Sequence, residues 1–161
     1  MVVIIMEKTI WLKTLRDHCP GITFVEQSDT FHWSPRSASV HVAALDTERD
    51  LITLLHETGH ALAEHTTYTQ DIQLLKLERQ AWEIARERLA PLFEIEISDE
   101  IIEEALDSYR DWLHARSICP ECHANGVQQD ETHYQCLACL TVWKVNDARI
   151  CQLRRYVVSR H

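Results

Sequence analysis

Two groups of metal-binding residue types stand at spacings that chemistry can use. In His56-Glu57-Thr58-Gly59-His60, two imidazoles sit four residues apart with a carboxylate between them. Four residues is about one helical turn, so both imidazoles share a face and can hold a single ion. Glu57 is then placed to reach an ion-bound water without ligating the metal, which is the arrangement of metal-assisted hydrolysis. The second group is Cys119-Pro120-Glu121-Cys122 with Cys136-Leu137-Ala138-Cys139. Four thiolates fill every position around a tetrahedral zinc, so this site is expected to be structural and to contribute folding energy. Disulfides, a redox dithiol and an iron–sulfur centre are the competing uses of such cysteines. Cys19 and Cys151 are left over and read as small buried hydrophobes.

The elements that must position these groups can be read from periodicity. Thr47-x-x-Asp50 offers a capping box at the start of a helix on which Leu51, Leu54, Leu55, Thr58 and Leu62 recur at three- and four-residue intervals. At about 100° per residue these positions form one apolar back, while His56 and His60 fall on the opposite side, roughly 40° apart. The competing reading is a surface helix that carries His, Glu and His by chance. A second helix is expected over 71–89, ending before Pro91. Glu78 lies within its apolar sector, among Leu74, Leu77, Ala81, Trp82 and Ala85, whereas Glu83 points the other way. A carboxylate among Leu and Ala is costly without a compensating cation, so Glu78 is a third metal ligand or one half of a buried salt bridge with an arginine. His65 is the rival ligand. On a continuing helix it would project toward the Leu51 side, as an outer contact or a surface residue.

A first helix is expected over 7–18, stopped by Pro20-Gly21, then short strands at Ile22–Val25 and Ser39–Ala43 with a turn-rich stretch between them. A third helix starts near Ser98, with Asp99 and Glu100 favourable in its first turn. Its apolar stripe runs from Ile101 to Leu113. Tyr134, Leu140 and Trp143 can pack a small strand layer around the cysteine turns. The expected fold class is therefore α+β, with a domain at 1–116 and a zinc ribbon with a basic tail at 117–161.

The chain has 161 residues, of which 45% are hydrophobic and 25% charged, the composition of an ordinary globular protein. A formal charge of −9 repels phosphate backbones and argues against non-specific nucleic-acid binding by the whole molecule. Lys144, Arg149, Arg154, Arg155 and Arg160 against Asp147 make a basic tail that could touch nucleic acid or another acidic partner, or be a solvated surface. The apolar start, Met1 to Met6, is interrupted by Glu7 and Lys8 and is too short for a signal core or a membrane span. The expectation is a cytoplasmic protein without membrane attachment.

Residues 45 to 91 resemble the ImmA/IrrE family of zinc metallopeptidases. The resemblance rests on Leu54-Leu55-His56-Glu57-Thr58-Gly59-His60 and on Glu78-Arg79-Gln80-Ala81-Trp82-Glu83-Ile84-Ala85 followed by Leu89-Ala90-Pro91. That family's second element reads Glu-x-Glu-Ala-Asn-x-x-Ala, so Gln80 and Trp82 depart from it while the ligand set remains. The resemblance implies a minimal zincin-like core, a small sheet packed on the active-site helices, of the gluzincin class. It implies Glu78 as the third zinc ligand and an exposed edge strand at Val40, His41 and Val42 that pairs with an extended peptide. A regulatory protein such as a repressor is the substrate it suggests. SprT-like peptidases share the layout of a His-Glu-x-x-His helix and a ribbon, but take a third histidine that this chain lacks. Metzincins would have glycine and histidine where Ala63 and Thr66 stand.

The resulting expectation is a zinc endopeptidase with one catalytic and one structural zinc. Glu57 is its base, and Tyr68 or His65 could serve as a second oxyanion donor. The alternative is a non-catalytic protein- or nucleic-acid-binding module with two structural zinc sites.

Overall fold

Thr47 and Asp50 close a reciprocal cap. The Asp50 amide donates to the Thr47 hydroxyl (3.2 Å) and the Thr47 amide to the Asp50 carboxylate (2.8 Å), which starts the histidine-bearing helix one residue later. In the computed structural model, which describes residues 2–146 and 152–159, the order of elements is as follows. Helix α1 spans Val2–His18, strands β1 Thr23–Val25, β2 His32–Ser34 and β3 Ser39–His41, then helices α2 Glu48–Leu62 and α3 Asp71–Ile84. Helix α4 follows over Asp99–Ser117, then strands β4 Gly126–Gln128, β5 His133–Cys136, β6 Val142–Val145 and β7 Arg155–Ser159. The fold is mixed α+β. Cys151, Asp147, Arg149 and Arg160 lie outside the described residues. Among those described, no helix is long and apolar enough to cross a membrane.

The chain divides into two compact units, Met1–Thr66 with Leu77–Ile102, and Thr67–Lys76 with Glu103–His161. The change of unit thus falls inside α4 at 102, where the sequence placed it at 116, and the segment 67–76 joins the unit that carries the four cysteines.

In the first unit the sheet order is β1-β3-β2. Phe24 pairs with Val40 in a parallel ladder and Trp33 with Val40 in an antiparallel one. The strand expected at 39–43 is therefore not an exposed edge. β3 is bonded on both sides, Val40 and Val42 are buried, and the Val42 amide already donates to the Val25 carbonyl (2.8 Å). Val40, His41 and Val42 are thus corrected from a peptide-binding edge to the middle of the sheet. The cause is β2, three residues that the surrounding Ser, Thr and Pro disguised as turn. β1 and β2 hold the edges. Helix α2 packs on β2 and β3, and its buried Leu51, Leu54 and Leu55 meet a core that includes Val40, Val42 and Leu15.

Helix α3 runs on through one π turn at Ala85–Leu89 and a 3-10 turn at Ala90–Phe93, stopped by Glu94 in the left-handed region (φ 56°). Proline at 91 favours that tighter exit because it cannot donate into a continuing helix.

The second unit is built on a four-stranded sheet in the order β4-β5-β6-β7. β7, which the sequence left as tail, is thereby a sheet strand carrying Arg155. Tyr134, Trp143 and Val145 form its core with Cys119 and Cys136. Gly126 lies so close to the Trp143 ring that a Cβ there would overlap it. Behind the core, the nearly buried Arg116 reaches the Tyr134 hydroxyl (3.2 Å), the Glu131 carbonyl (2.8 Å) and the Asp71 carboxylate (3.5 Å). The Tyr134 hydroxyl bonds Asp71 as well, and the Asp71 amide donates to Gln128 Oε1 (2.8 Å). Burial and the facing Asp71 carboxylate push the Tyr134 phenol well above its usual value, so it remains a donor.

Candidate metal centres

Gly59 decides how closely two helices approach. A Cβ at this position would overlap the Ala81 carbonyl oxygen and stand 3.0 Å from its carbon, so α2 and α3 touch backbone to side-chain-free backbone. The missing side chain makes room for α3. Ala81 and Ala85, both fully buried, continue the contact. Glu78 is thereby carried to the two histidines.

His56 Nε2 lies 3.1 Å from His60 Nε2 and 3.1 Å from Glu78 Oε2, and His60 Nε2 lies 3.5 Å from the same oxygen. Two imidazole nitrogens at that distance repel through their lone pairs unless a proton or a cation lies between them. The separations are ones that a bound metal ion would accommodate. Ligands roughly 2.0–2.1 Å from a tetrahedral ion stand about 3.3 Å apart. Burial pushes the Glu78 carboxyl up, but the His56 and His60 imidazoles outweigh it and hold the group well below the usual carboxylate range. Glu78 is therefore an ionised, buried ligand type. Glu83 on the same helix is exposed, as the wheel requires. Side-chain exposure is 7% at His56, 6% at Glu78 and 13% at His60, so the cluster opens to solvent on the His60 side.

The surroundings of the two histidines differ. His56 stacks on Trp82 (4.2 Å between centroids, 25° between planes), and both its Nδ1 and the Trp82 Nε1 are buried without a hydrogen-bond partner among the described residues. His60, in contrast, has its Nδ1 2.8 Å from His65 Nδ1, and His65 Nε2 is 3.1 Å from Gln80 Oε1. Desolvation is the largest influence on the buried His65 ring and moves its pKa down, toward the neutral form. His65 does not sit where a continuing helix would put it. α2 ends at Leu62, Glu64 takes a left-handed conformation (φ 53°), and the His65 amide bonds back to the His60 carbonyl (3.0 Å). With the Glu64 amide on the Ala61 carbonyl (3.1 Å), this is a Schellman turn, which brings the residue after the left-handed one over the last turn.

Trp33, on edge strand β2, holds two parts of this region. Its backbone N–H donates to Glu57 Oε2 (2.7 Å) and its indole N–H to the His65 carbonyl (2.7 Å). Sequence reasoning passed over Trp33 because both bonds depend on the sheet pairing. Tyr68 belongs to the second unit.

The four-cysteine site is two copies of one turn. His123 and Leu140, each directly after a second cysteine, both have φ 62°. Their amides bond to the carbonyls of Cys119 (3.1 Å) and Cys136 (3.0 Å). Sγ atoms of Cys119 and Cys139 are 3.6 Å apart, those of Cys122 and Cys136 3.5 Å. These distances are too long for disulfides and near the ~3.8 Å expected between thiolates about 2.3 Å from a tetrahedral ion. The side chain and backbone N–H of Thr141 hold the Cys139 thiol below its usual value. Cys19 is buried, as expected, and is not a member of this cluster.

Comparison with protein-family models, with curated proteins and with solved structures gives no match. The two residue groups that can hold a metal, His56/His60/Glu78 and Cys119/Cys122/Cys136/Cys139, therefore carry the functional argument.

Gly59→Ala gains about 1 kcal/mol of helix propensity. The added methyl meets backbone that cannot rotate away, and overpacking of this kind typically costs about 1–3 kcal/mol or more. The variant is expected to melt lower and to bind metal at the histidine site at least ~10-fold more weakly, by analogy with disturbed outer contacts of metal ligands. A melting temperature above the parent's, with unchanged metal titration, would refute the close contact.

Proposed function

We propose that the chain is a zinc-dependent endopeptidase of the gluzincin type, with a zincin-like first unit and a structural zinc in the ribbon. The observation that carries this reading is the convergence of His56, His60 and Glu78 beside a carboxylate, Glu57, that is not itself one of the convergent ligand atoms. Two imidazoles and a carboxylate are a donor set that zinc takes, and three protein ligands leave one position open. A closed structural site would need neither the open position nor a neighbouring base. The four-thiolate site, by contrast, is complete.

When bound at the histidine site, zinc supplies Lewis acidity toward water and toward the scissile carbonyl. The chain's own residues do the rest. Glu57 Oε2 is fixed by the Trp33 N–H, which leaves Oε1 to take a proton from the attacking water and return it to the leaving amine. Trp82 closes one side of the His56 ring and limits water there. The substrate is a peptide or protein, added by backbone pairing to an edge strand. With β3 central, the edges are β1 and β2, and on β2 the Trp33 N–H is already given to Glu57. The resemblance of residues 45 to 91 to ImmA/IrrE peptidases supports a regulatory protein as substrate.

Glu57→Gln separates the enzyme from a binding module. Glutamine keeps the volume and can still accept from the Trp33 N–H, so the variant should keep two zinc ions per chain and the parent's melting temperature. Hydrolysis of a denatured protein substrate should fall by about 10²–10⁴-fold, the usual contribution of a positioned base. Equal turnover by variant and parent would remove Glu57 from the chemistry. A parent that binds both ions yet cleaves nothing would leave the non-catalytic reading.

A further inference from the structure

A metal-ligating imidazole must present one nitrogen bare, and the partner of its other nitrogen decides which one that is. His60 has such a partner, and the chain of contacts beyond it runs His60 Nδ1, His65 Nδ1, His65 Nε2, Gln80 Oε1 at 2.8 Å and 3.1 Å. The assignment can be made from the far end. An amide oxygen only accepts, so His65 Nε2 must carry the proton it donates to Gln80. With that one proton on Nε2, His65 presents a bare Nδ1, which accepts, and the proton between the two rings, 2.8 Å apart at their Nδ1 atoms, belongs to His60 Nδ1. That leaves His60 Nε2 with its lone pair directed at His56 Nε2 and Glu78.

We propose that His65 and Gln80 are positioning residues that lock His60 in the Nδ1–H tautomer, leaving Nε2 free to ligate a metal ion. Backbone holds the relay in place. The Schellman turn fixes the His65 amide on the His60 carbonyl, and the Trp33 indole holds the His65 carbonyl. Gln80 follows Glu78 on α3, so the helix that brings the third ligand also brings the end of the relay. The left-handed Glu64 costs backbone energy that glycine would not, and the turn it makes is what returns His65 to His60. His56 Nδ1 has no corresponding acceptor among the described residues, so the relay braces one ligand of the pair.

The inference rests on the histidine cluster as a metal site, but its test does not depend on peptide hydrolysis. Gln80 is exposed, so its variants should leave the fold intact. Zn2+ titration against a competing chelator should give Gln80→Glu an affinity equal to the parent's or higher, because a carboxylate is a stronger acceptor. Gln80→Met, of similar length without that acceptor, should bind about 10–100-fold more weakly, and His65→Phe likewise. The four-cysteine site should fill equally in all of them. Imidazole 15N spectra of the parent with the four-cysteine site filled and the histidine site empty should show His65 as the Nε2–H tautomer and His60 as Nδ1–H. A His65 that is Nδ1–H, or a Gln80→Glu and a Gln80→Met that both bind as the parent does, would overturn the relay. The spectra decide it even if no ion binds at the histidines, which is the outcome that would instead sink the peptidase reading.

Discussion

Replacing Cys119 and Cys122 together by serine is expected to empty the ribbon of metal and to unfold its sheet. The fully buried side chains around β5 and β6 are few, and Cys119 and Cys136 are themselves part of that core. Apparent binding energies of structural zinc reach about 10–16 kcal/mol in small zinc modules, as large as the whole stability of an ordinary domain. Without the ion, Tyr134 and Trp143 have too little apolar cover to hold β4 to β7 together. Metal content should fall from two ions per chain to one, with loss of the near-ultraviolet signal of Tyr134 and Trp143 and rapid proteolysis within 117–159. Cys19→Ser should change neither quantity, since that thiol is buried and is not one of the four. A double variant that keeps its aromatic signal with one ion bound would show that the sheet stands without the thiolates.

Glu78→Ala should have the largest effect on the other site. Among the described residues its carboxylate is the only acidic member of the cluster, and it faces both imidazoles, so alanine removes a candidate ligand and the charge that would balance an ion. Loss of an outer contact already weakens a metal site by 10–100-fold, and loss of a ligand should exceed about 100-fold. Zn2+ titration should then find only the four-cysteine site at micromolar metal, and hydrolysis should disappear with the ion. Glu78→Asp, one methylene shorter, should recover part of the affinity. Glu83→Ala, on the exposed face of the same helix, should match the parent in both measurements. Parent-like binding of the second ion by Glu78→Ala would overturn the ligand assignment.

Both groups of candidate metal ligands were legible in the chain because their determinants are local. Histidines one turn apart, paired Cys-x-x-Cys turns and a carboxylate inside an apolar helical sector follow from spacing and burial cost alone. What depends on partners distant in sequence was not legible. The central place of β3 is set by β2, whose three residues carry no alternating pattern of their own. Trp33 acts through a backbone N–H that only the sheet directs at Glu57. His65 was misdirected by assuming that α2 continues, when a left-handed glutamate turns the chain back. Glycine is the usual signal for such a turn, and its absence hid the relay.

Asp71 carries a consequence for how the ribbon could be moved between proteins. The carboxylate beside Arg116 and Tyr134 comes from a segment far upstream, so the second unit is assembled from two separate stretches of polypeptide. A graft cut at 103 would keep the arginine and discard its counter-charge. Orphaning a buried partner in that way costs about 3–5 kcal/mol. Cutting at 117 would discard Arg116 too, and with it the carbonyl that accepts the Trp143 indole N–H (3.0 Å). Neither cut yields a transplantable cassette. A recombination event or an engineered fusion that shuffles this ribbon must carry residues 67–76 along with it, or supply a new acid opposite the arginine.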